Sequence, residues 1–451
     1  MKSDTIAAIS TAFGQGAIAV LRISGPGAVA VAGRVCHGKV RVEGMAPRQA
    51  TLAEVRGEGG ERIDEVLVTV FPKPASYTGE DVVEISCHGG VLVSQLVYAC
   101  LLEAGARAAE PGEFTQRAFL NGKMDLTQAE AVMDLIEART SLALKAAAEQ
   151  LEGRLGREME VLRQSLLGVV AHVEAYIDFP DEDIDPDTGA AMRARVGEVF
   201  EVIERMLATA DQGRILREGV RTVICGEPNV GKSSLLNRLL GCDRAIVSEV
   251  AGTTRDTIEE VINLRGIPLR LVDTAGVREA LDLVEREGIA RTERQIEGAE
   301  LVLEVVDGSH PVPKEFASLA AGAGKKHLLI LNKEDLGTHD SWGAFTDRAT
   351  SLSCTEGTGA EALQTRIYDL VTSGEADWAA NPVAINARHQ ACLARALTHA
   401  GAALALLEGG EAEEIAALEL RSSLDAVGEV VGVTEVEEIL GEIFASFCIG
   451  K

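Results

Sequence analysis

The sequence predicts a multidomain α/β protein: an N-terminal mixed α/β domain, a helical domain in two pieces, and a parallel-sheet nucleotide domain inserted between them. Three observations predict it. A chain of 451 residues is too long for one core and divides into about three domains. The apolar pattern turns from strand-like to helical near residue 119, alternates between the two from 218, and is helical again towards the end. At Gly226-Glu227-Pro228-Asn229-Val230-Gly231-Lys232-Ser233 the chain carries a G-x-x-x-x-G-K-[ST] phosphate-binding loop.

Residues 1–118 read as mixed α/β. Ala17–Ile23, Glu65–Phe71 and Asp81–Ser86 are strand-like, and in the last two β-branched residues alternate with polar ones. Gly89-Gly90 breaks the chain before a helical stretch from Val91 to about Gly105. Gly14-Gln15-Gly16 precedes a strand instead of following one, so it is no dinucleotide loop. Residues 119–217 form the first half of the helical domain. Leu126–Ile136 places apolar residues at i, i+3, i+4 and i+7, in an Ala-, Glu- and Leu-rich background that favours long helices. An acidic run, Phe179–Pro186, reads as a solvated connection between two helices. Residues 218–379 alternate strand and helix, with strands expected at Arg221–Cys225, Leu269–Val272, Leu301–Val306 and His327–Leu331. Residues 380–451 return to helix. An insertion is tolerable because domain termini often lie close together.

Composition narrows the function. The chain is 46% hydrophobic and 25% charged, as in a soluble globular protein, and only 4% aromatic, so its cores rest on Ala, Leu, Val and Ile. A net charge of −27 argues against a broad basic nucleic-acid surface while leaving room for a local basic groove. Eight dispersed cysteines, with no C-x-x-C pair, give neither a zinc pattern nor a disulfide framework, which points to a reducing compartment. Met1-Lys2-Ser3-Asp4 has no secretory layout, and no run is read as approaching the roughly 20 apolar residues that span a bilayer. A cytoplasmic protein without a membrane segment is expected.

Four motifs follow one another in the order of one machine: the phosphate loop, Gly252-Thr253-Thr254-Arg255-Asp256, Asp273-Thr274-Ala275-Gly276 and Asn332-Lys333-Glu334-Asp335. The last resembles the guanine-reading signature of GTPases, which makes the inserted unit a Ras-like P-loop G domain that binds GTP. Backbone N–H groups of Asn229, Val230, Gly231, Lys232 and Ser233 are expected to wrap the phosphates at a helix N-terminus, with Ser234 beside them. Lys232 neutralises β/γ-phosphate charge. Ser233 and Thr254 are the expected Mg²⁺ ligands. Ser248, Glu249, Val250, Ala251, Gly252, Thr253 and Thr254 form the first switch, and Asp273, Thr274, Ala275 and Gly276 the second. Asn332 and Asp335 read the base, flanked by Lys333, while Ser353 and Cys354 approach it through backbone.

Two details bear on mechanism. Many GTPases place a water-orienting Gln after Asp-x-x-Gly; here Val277 stands there, so hydrolysis is slow or another group substitutes. Asn229 within the loop resembles the potassium-activated GTPases, in which the asparagine helps hold K⁺ beside the phosphates. Ser248, Val250 and Thr253 would supply the remaining K⁺ oxygens, and the alternative is that Asn229 only shapes the loop. Glu285, just after the second switch, is either a water-orienting carboxylate or a helix N-terminal glutamate favoured by the dipole.

The flanks carry a closer resemblance. Asp4-Thr5-Ile6-Ala7-Ala8, Val20-Leu21-Arg22-Ile23-Ser24-Gly25, Tyr77–Glu84, Arg117–Asp125 and the terminal Phe447-Cys448-Ile449-Gly450-Lys451 are similar to the MnmE (TrmE) family of tRNA uridine-modification GTPases, over essentially the whole chain. The resemblance implies an N-terminal domain that dimerises and binds a tetrahydrofolate derivative (5-formyl- or methylene-), a helical domain and an inserted G domain. It implies a homodimer and a larger assembly with the FAD-containing protein MnmG, tRNA being held largely by that partner. Together they install an aminomethyl-type group on C5 of the wobble uridine. It also implies K⁺-dependent contact between G domains, with Glu285 in the catalytic role, and Arg22, Glu84, Lys123 and Lys451 at folate-contacting positions. A carboxylate can grip a pterin edge and a cation can neutralise the folate glutamate. Cys448 matches a terminal cysteine: either a reactive thiolate or a buried small apolar residue.

Departures are small: Ser248 replaces a usual Thr and Cys354 a usual Ala, both in backbone roles. Rival readings are a ribosome-assembly-type regulatory switch, which ordinarily adds a basic RNA-binding module, and a GTP-gated transport protein, which requires a membrane span.

Overall fold

The computed structural model describes residues 4–57, 59–178, 188–242, 260–272, 296–313, 325–345, 347–373, 378, 385–409, 413–433, 437–445 and 447–450. The acidic run at 179–186 lies outside them.

The N-terminal part is a seven-stranded sheet with helices. In chain order come β1 (Ile6–Ile9), β2 (Ile18–Ser24), α1 (Ala28–Val35), β3 (Cys36–His37), β4 (Thr51–Arg56), β5 (Arg62–Phe71), β6 (Val82–His88), α2 (Val91–Glu103), β7 (Arg107–Ala108) and α3 (Glu113–Leu120). The sheet order is β3-β4-β5-β6-β2-β1-β7. Period-2 alternation gives it two different faces. Leu21, Ile23, Val66, Val68 and Ile85 point to one face and bury Val31 and Val35 of α1 and Val97 and Leu101 of α2. The other face carries Ile6 and Ala8 against Phe114 of α3, with Tyr77 alongside. The expected strands at 17–23, 65–71 and 81–86 and the helix from 91 all form. The two-residue strands β3 and β7 gave no periodic signal.

A run of helices follows: α4 (Leu126–Glu137), α5 (Ser141–Leu151), α6 (Arg154–Asp178), α7 (Thr188–Ala208) and α8 (Ala210–Glu218). Helix α4 starts at a capping box: the Asp125 carboxylate accepts from Gln128 N–H while the Gln128 side chain accepts from Asp125 N–H. Three more helices come near the C-terminus, after the second sheet. Met159, Leu166 and Val173 of α6 and Val196, Val199 and Ile203 of α7 meet Leu393 and Ala396, then Leu420, Val427 and Val430, from the far end of the sequence in one core. Two helical segments separated by more than 150 residues therefore share one interior, as the interrupted helical pattern predicts.

Between them lies the second sheet: β8 (Val220–Cys225), α9 (Lys232–Cys242), β9 (Glu260–Leu264), β10 (Ile267–Leu271), β11 (Leu301–Asp307), β12 (Lys326–Asn332), β13 (Ala349–Leu352) and α10 (Ala360–Thr372). The order is β13-β12-β11-β8-β10-β9, parallel except for β9 at the edge. From β8 the chain first goes out to the edge strand β9 and returns as β10 beside β8, then crosses to β11 on the other side. The carboxyl ends flanking that reversal are where open parallel sheets bind ligands. The turn between β9 and β10 packs on α5: a Cβ on Gly266, whose φ is +94°, would lie 2.4 Å from Leu142 Cδ1.

The chain ends in α11 (Ala387–Gly409), α12 (Glu413–Val431) and α13 (Glu437–Ala445). Helix α11 corrects the reading that no run approaches a membrane span. By length and composition alone its 23 residues are long and apolar enough to cross one. The alanine and leucine content that makes it apolar also serves packing: Leu393, Ala396 and Ala403 sit in the helical core.

Candidate nucleotide and N-terminal sites

The phosphate loop leaves the end of β8 and enters α9 at Lys232. Two glycines make the turn possible. A Cβ on Gly226 (φ +141°) would lie 2.1 Å from Val305 O, and one on Gly231 (φ +103°) 2.1 Å from Asn332 Nδ2. Asn229 adopts φ +66°, a left-handed conformation that Asn tolerates better than most residues. Its side chain is exposed. The loop-shaping role thus has a backbone basis, and the exposed amide remains available to a ligand.

Lys232 is half buried. Its Nζ donates to Gly226 O at 2.8 Å and Glu227 O at 2.7 Å, and it forms no ion pair among the described residues. Burial pushes its pKa down, while Cys225 and Glu227 oppose that shift. The loop thus concentrates positive charge at a helix N-terminus, where backbone dipoles also favour an anion. Ser233 and Ser234 open the helix and are exposed.

The positions expected to read the base converge from β12 and β13. Asn332 is buried at the end of β12; its Nδ2 donates to Val230 O at 2.8 Å and its Oδ1 accepts from Cys354 N–H at 3.2 Å. One side chain thereby ties together three segments, its own and two that lie 102 and 22 residues from it along the chain. Asp335 is exposed and accepts at Oδ1 from Ser353 Oγ at 2.6 Å; Ser353 Oγ in turn accepts from Glu356 N–H. Lys333, at φ +66°, reaches Asp307 Oδ2 at 2.6 Å. Burial would raise the Asp307 pKa, but the Lys333 and Ser309 hydrogen bonds outweigh it and hold the carboxyl far below the usual range. Sequence reasoning missed Asp307, which anchors Lys333 from the end of β11. Burial raises the Cys354 thiol to about 11, with Arg238 opposing, so that cysteine stays a neutral thiol beside the base-reading loop.

Ser248, Glu249, Val250, Ala251, Gly252, Thr253, Thr254, Asp273, Thr274, Ala275, Gly276 and Glu285 lie outside the described residues, as does Lys451. Among the described residues no cluster of three or more His, Cys, Asp or Glu forms a metal site.

In the N-terminal sheet Arg22 and Glu84 stand opposite each other across β2 and β6, in one row with Ala8 of β1. Arg22 Nε and Nη2 donate to Glu84 Oε1 at 3.0 and 2.8 Å. The guanidinium also lies 5.3 Å from the Tyr77 ring centroid and 5.7 Å from that of Phe114. Lys123 is exposed and donates to Pro74 O at 3.1 Å, beside the segment that carries Tyr77. The C-terminal tail returns to this sheet. Ile449 bridges Pro111, and Ser10 Oγ donates to Gly450 O at 3.2 Å. Cys448 is exposed within that tail, so the buried-residue reading of it does not hold. Arg22 and Glu84 thus share one site on the sheet, and the tail lies beside Ser10, just past the end of β1, and Pro111, which follows the edge strand β7.

The family described as "GTP-binding protein TrmE N-terminus" matches residues 5–123, and that described as "MnmE helical domain" matches residues 126–448. A "tRNA modification GTPase MnmE" of Akkermansia muciniphila is 53% identical over 448 residues, covering 99% of both chains. The chain belongs to the MnmE family. The MnmE protein of Geobacter sulfurreducens is 46% identical over 99% of both chains. Among solved structures, the FeoB G-domain from Methanococcus jannaschii is 26% identical over 34% of this chain and 98% of its own, at a TM-score of 0.24, too low to carry a structural conclusion. MnmE membership accounts for one chain holding a TrmE-type N-terminal sheet, a split helical domain and a nucleotide-binding sheet together.

Proposed function

We propose that this chain is a potassium-activated GTPase that acts with an FAD-containing partner, MnmG, to add an aminomethyl or carboxymethylaminomethyl group to C5 of the wobble uridine of certain tRNAs. A single observation carries the nucleotide part. Lys232 is a half-buried ammonium that donates to two carbonyls and has no ion pair among the described residues, at a helix N-terminus, on a loop whose glycines leave no room for a Cβ. Such a site is built for a polyanion. Asn332, Asp335 and Ser353 stand at the adjoining strand ends, where a guanine offers N–H donors for a carboxylate.

Within this reading, Ser233 and Thr254 hold Mg²⁺, and Asn229, Ser248, Val250 and Thr253 hold K⁺. The cations spread the charge that develops on the phosphates during hydrolysis. Glu285 orients water in place of the glutamine that Val277 replaces. Arg22, Glu84, Lys123 and Lys451 receive the tetrahydrofolate derivative. The ring-flanked Arg22–Glu84 pair suits a flat, hydrogen-bonding pterin. Cys448, exposed beside that sheet, is accessible to chemistry. A folate- and dimer-forming unit at 1–118, helical halves at 119–217 and 380–451, and a G domain at 218–379 divide the labour, in a cytoplasmic homodimer.

Steady-state GTP hydrolysis by the full chain in KCl and in NaCl tests the reading. The rate is expected to fall at least about tenfold in NaCl, and Glu285→Ala to lose about 10²-fold or more at unchanged GTP affinity. Equal rates in both salts would remove the potassium assignment; lost affinity in the variant would return Glu285 to a structural role.

A further inference from the structure

Helices α6 and α7 diverge to leave an open cleft of about 820 Å³ on the helical domain. Its charge runs against that of the chain. Arg154, Arg157, Arg195 and Arg205 line it, with Glu158 and Glu198 the carboxylates. Arg154 is engaged by Glu149 and Glu158. Arg157, Arg195 and Arg205 are exposed and form no ion pair among the described residues; Arg157 donates only to Glu152 O. Several other arginines of this domain are neutralised: Arg163 by Glu160, Arg388 by Glu130, Arg421 by Glu174. In a chain of net charge −27, three guanidinium groups without an ion pair among the described residues meet in one cleft.

We propose that this cleft binds the phosphodiester backbone of tRNA. The inference rests on the tRNA-directed function above. Arg195 and Arg205 lie ten residues apart on α7, about 15 Å along the axis, enough to reach several phosphates of one strand. Gln164, on the exposed side of α6, lines the same cleft; its Nε2 donates one N–H to Glu160 Oε1 at 2.7 Å and carries a second N–H. An amphipathic protein helix would want a row of exposed apolar knobs along the lip; here Val161 is the large exposed hydrophobic side chain, Val202 and Met206 are partly buried, and Arg157, Arg195 and Arg205 are exposed around them. The acidic remainder of the surface repels RNA, so the cleft concentrates the attraction and fixes orientation. Contacts of this kind position the RNA without reading its sequence.

The probe is an unmodified tRNA transcript, with binding to the full-length protein measured by fluorescence anisotropy from about 50 to 200 mM KCl. Replacing Arg157, Arg195 and Arg205 together by Gln is expected to weaken binding about tenfold or more and to reduce the slope of log K against log[salt] by about 2–3, with GTP hydrolysis unchanged. A second variant avoids any loss of fold. Gly168 lies in the cleft, and a Cβ there meets no atom within 4 Å. Gly168→Glu is expected to weaken binding, whereas Gly168→Gln and Gly409→Glu, a like change in open space on α11, bind as wild type. Wild-type affinity and slope in the triple variant would overturn the proposal, as would an absence of tRNA binding by the wild type at 50 mM KCl. Unchanged tRNA binding with loss of co-purification of MnmG would assign the cleft to the protein partner instead. Failure of the function itself is read separately, from whether the wild-type gene restores wobble-uridine modification.

Discussion

Asp335 is the side chain proposed to set base preference. It is exposed, fixed by Ser353 Oγ at 2.6 Å, and supplies only acceptors when ionised. Guanine offers N–H donors there, and xanthine presents a carbonyl in place of the amino group. Asp335→Asn is therefore expected to move preference from GTP to XTP by about tenfold or more in competition binding, because a buried mismatch of donor against donor costs about 1–3 kcal/mol. Unchanged preference for GTP would remove Asp335 from base reading. At this scale the phosphate loop and Asn-Lys-x-Asp were legible because each is a short local pattern with a fixed backbone purpose. The link from Asn332 to Val230 and Cys354, and the anchoring of Lys333 by Asp307, were not, since strand order decides which loops meet.

Elements are joined by contacts that no periodicity announces. Glu130 on α4 accepts from Arg388 Nε and Nη2, both at 2.9 Å, and lies 2.6 Å from His389 Nε2 on α11. Arg388 also donates to Glu429 O and Val430 O on α12. Burial opposes ionisation of Glu130, but His389 and Arg388 outweigh it and hold the carboxylate ionised. Burial likewise pushes the His389 pKa down despite Glu130. Arg388→Ala leaves a buried carboxylate without its bidentate partner and three helices without their shared cation. It is expected to destabilise by about 3–5 kcal/mol in denaturant unfolding; a loss below about 1 kcal/mol would show that the pair is dispensable. Elements such as α4 and β5 were legible from their periods, whereas the capping box that starts α4 was not read. The pairing of Arg22 with Glu84 was not, because it depends on register between strands 62 residues apart; only the resemblance of the flanks put both residues in one site.

Across the whole molecule, the ends of the chain are brought to its beginning. Phe444 and Phe447 pack on α4, and the tail continues to Pro111 and Ser10. The tail thus places Cys448 at the edge of the sheet that carries Arg22, while the intervening sheet holds Lys232. Such closure was invisible to local pattern, though the discontinuous helical runs hinted at it. The central claim is that one chain couples a nucleotide site to a site for wobble-uridine chemistry. Mass spectrometry of tRNA nucleosides tests it most directly, using cells that lack this gene and carry the wild type, Lys232→Ala or Arg22→Ala. The account predicts that the C5-modified wobble uridine is absent without the gene, returns with the wild type, and fails to return with either variant. A nucleoside profile unchanged by loss of the gene would contradict it and leave a GTP-binding protein of the regulatory-switch kind.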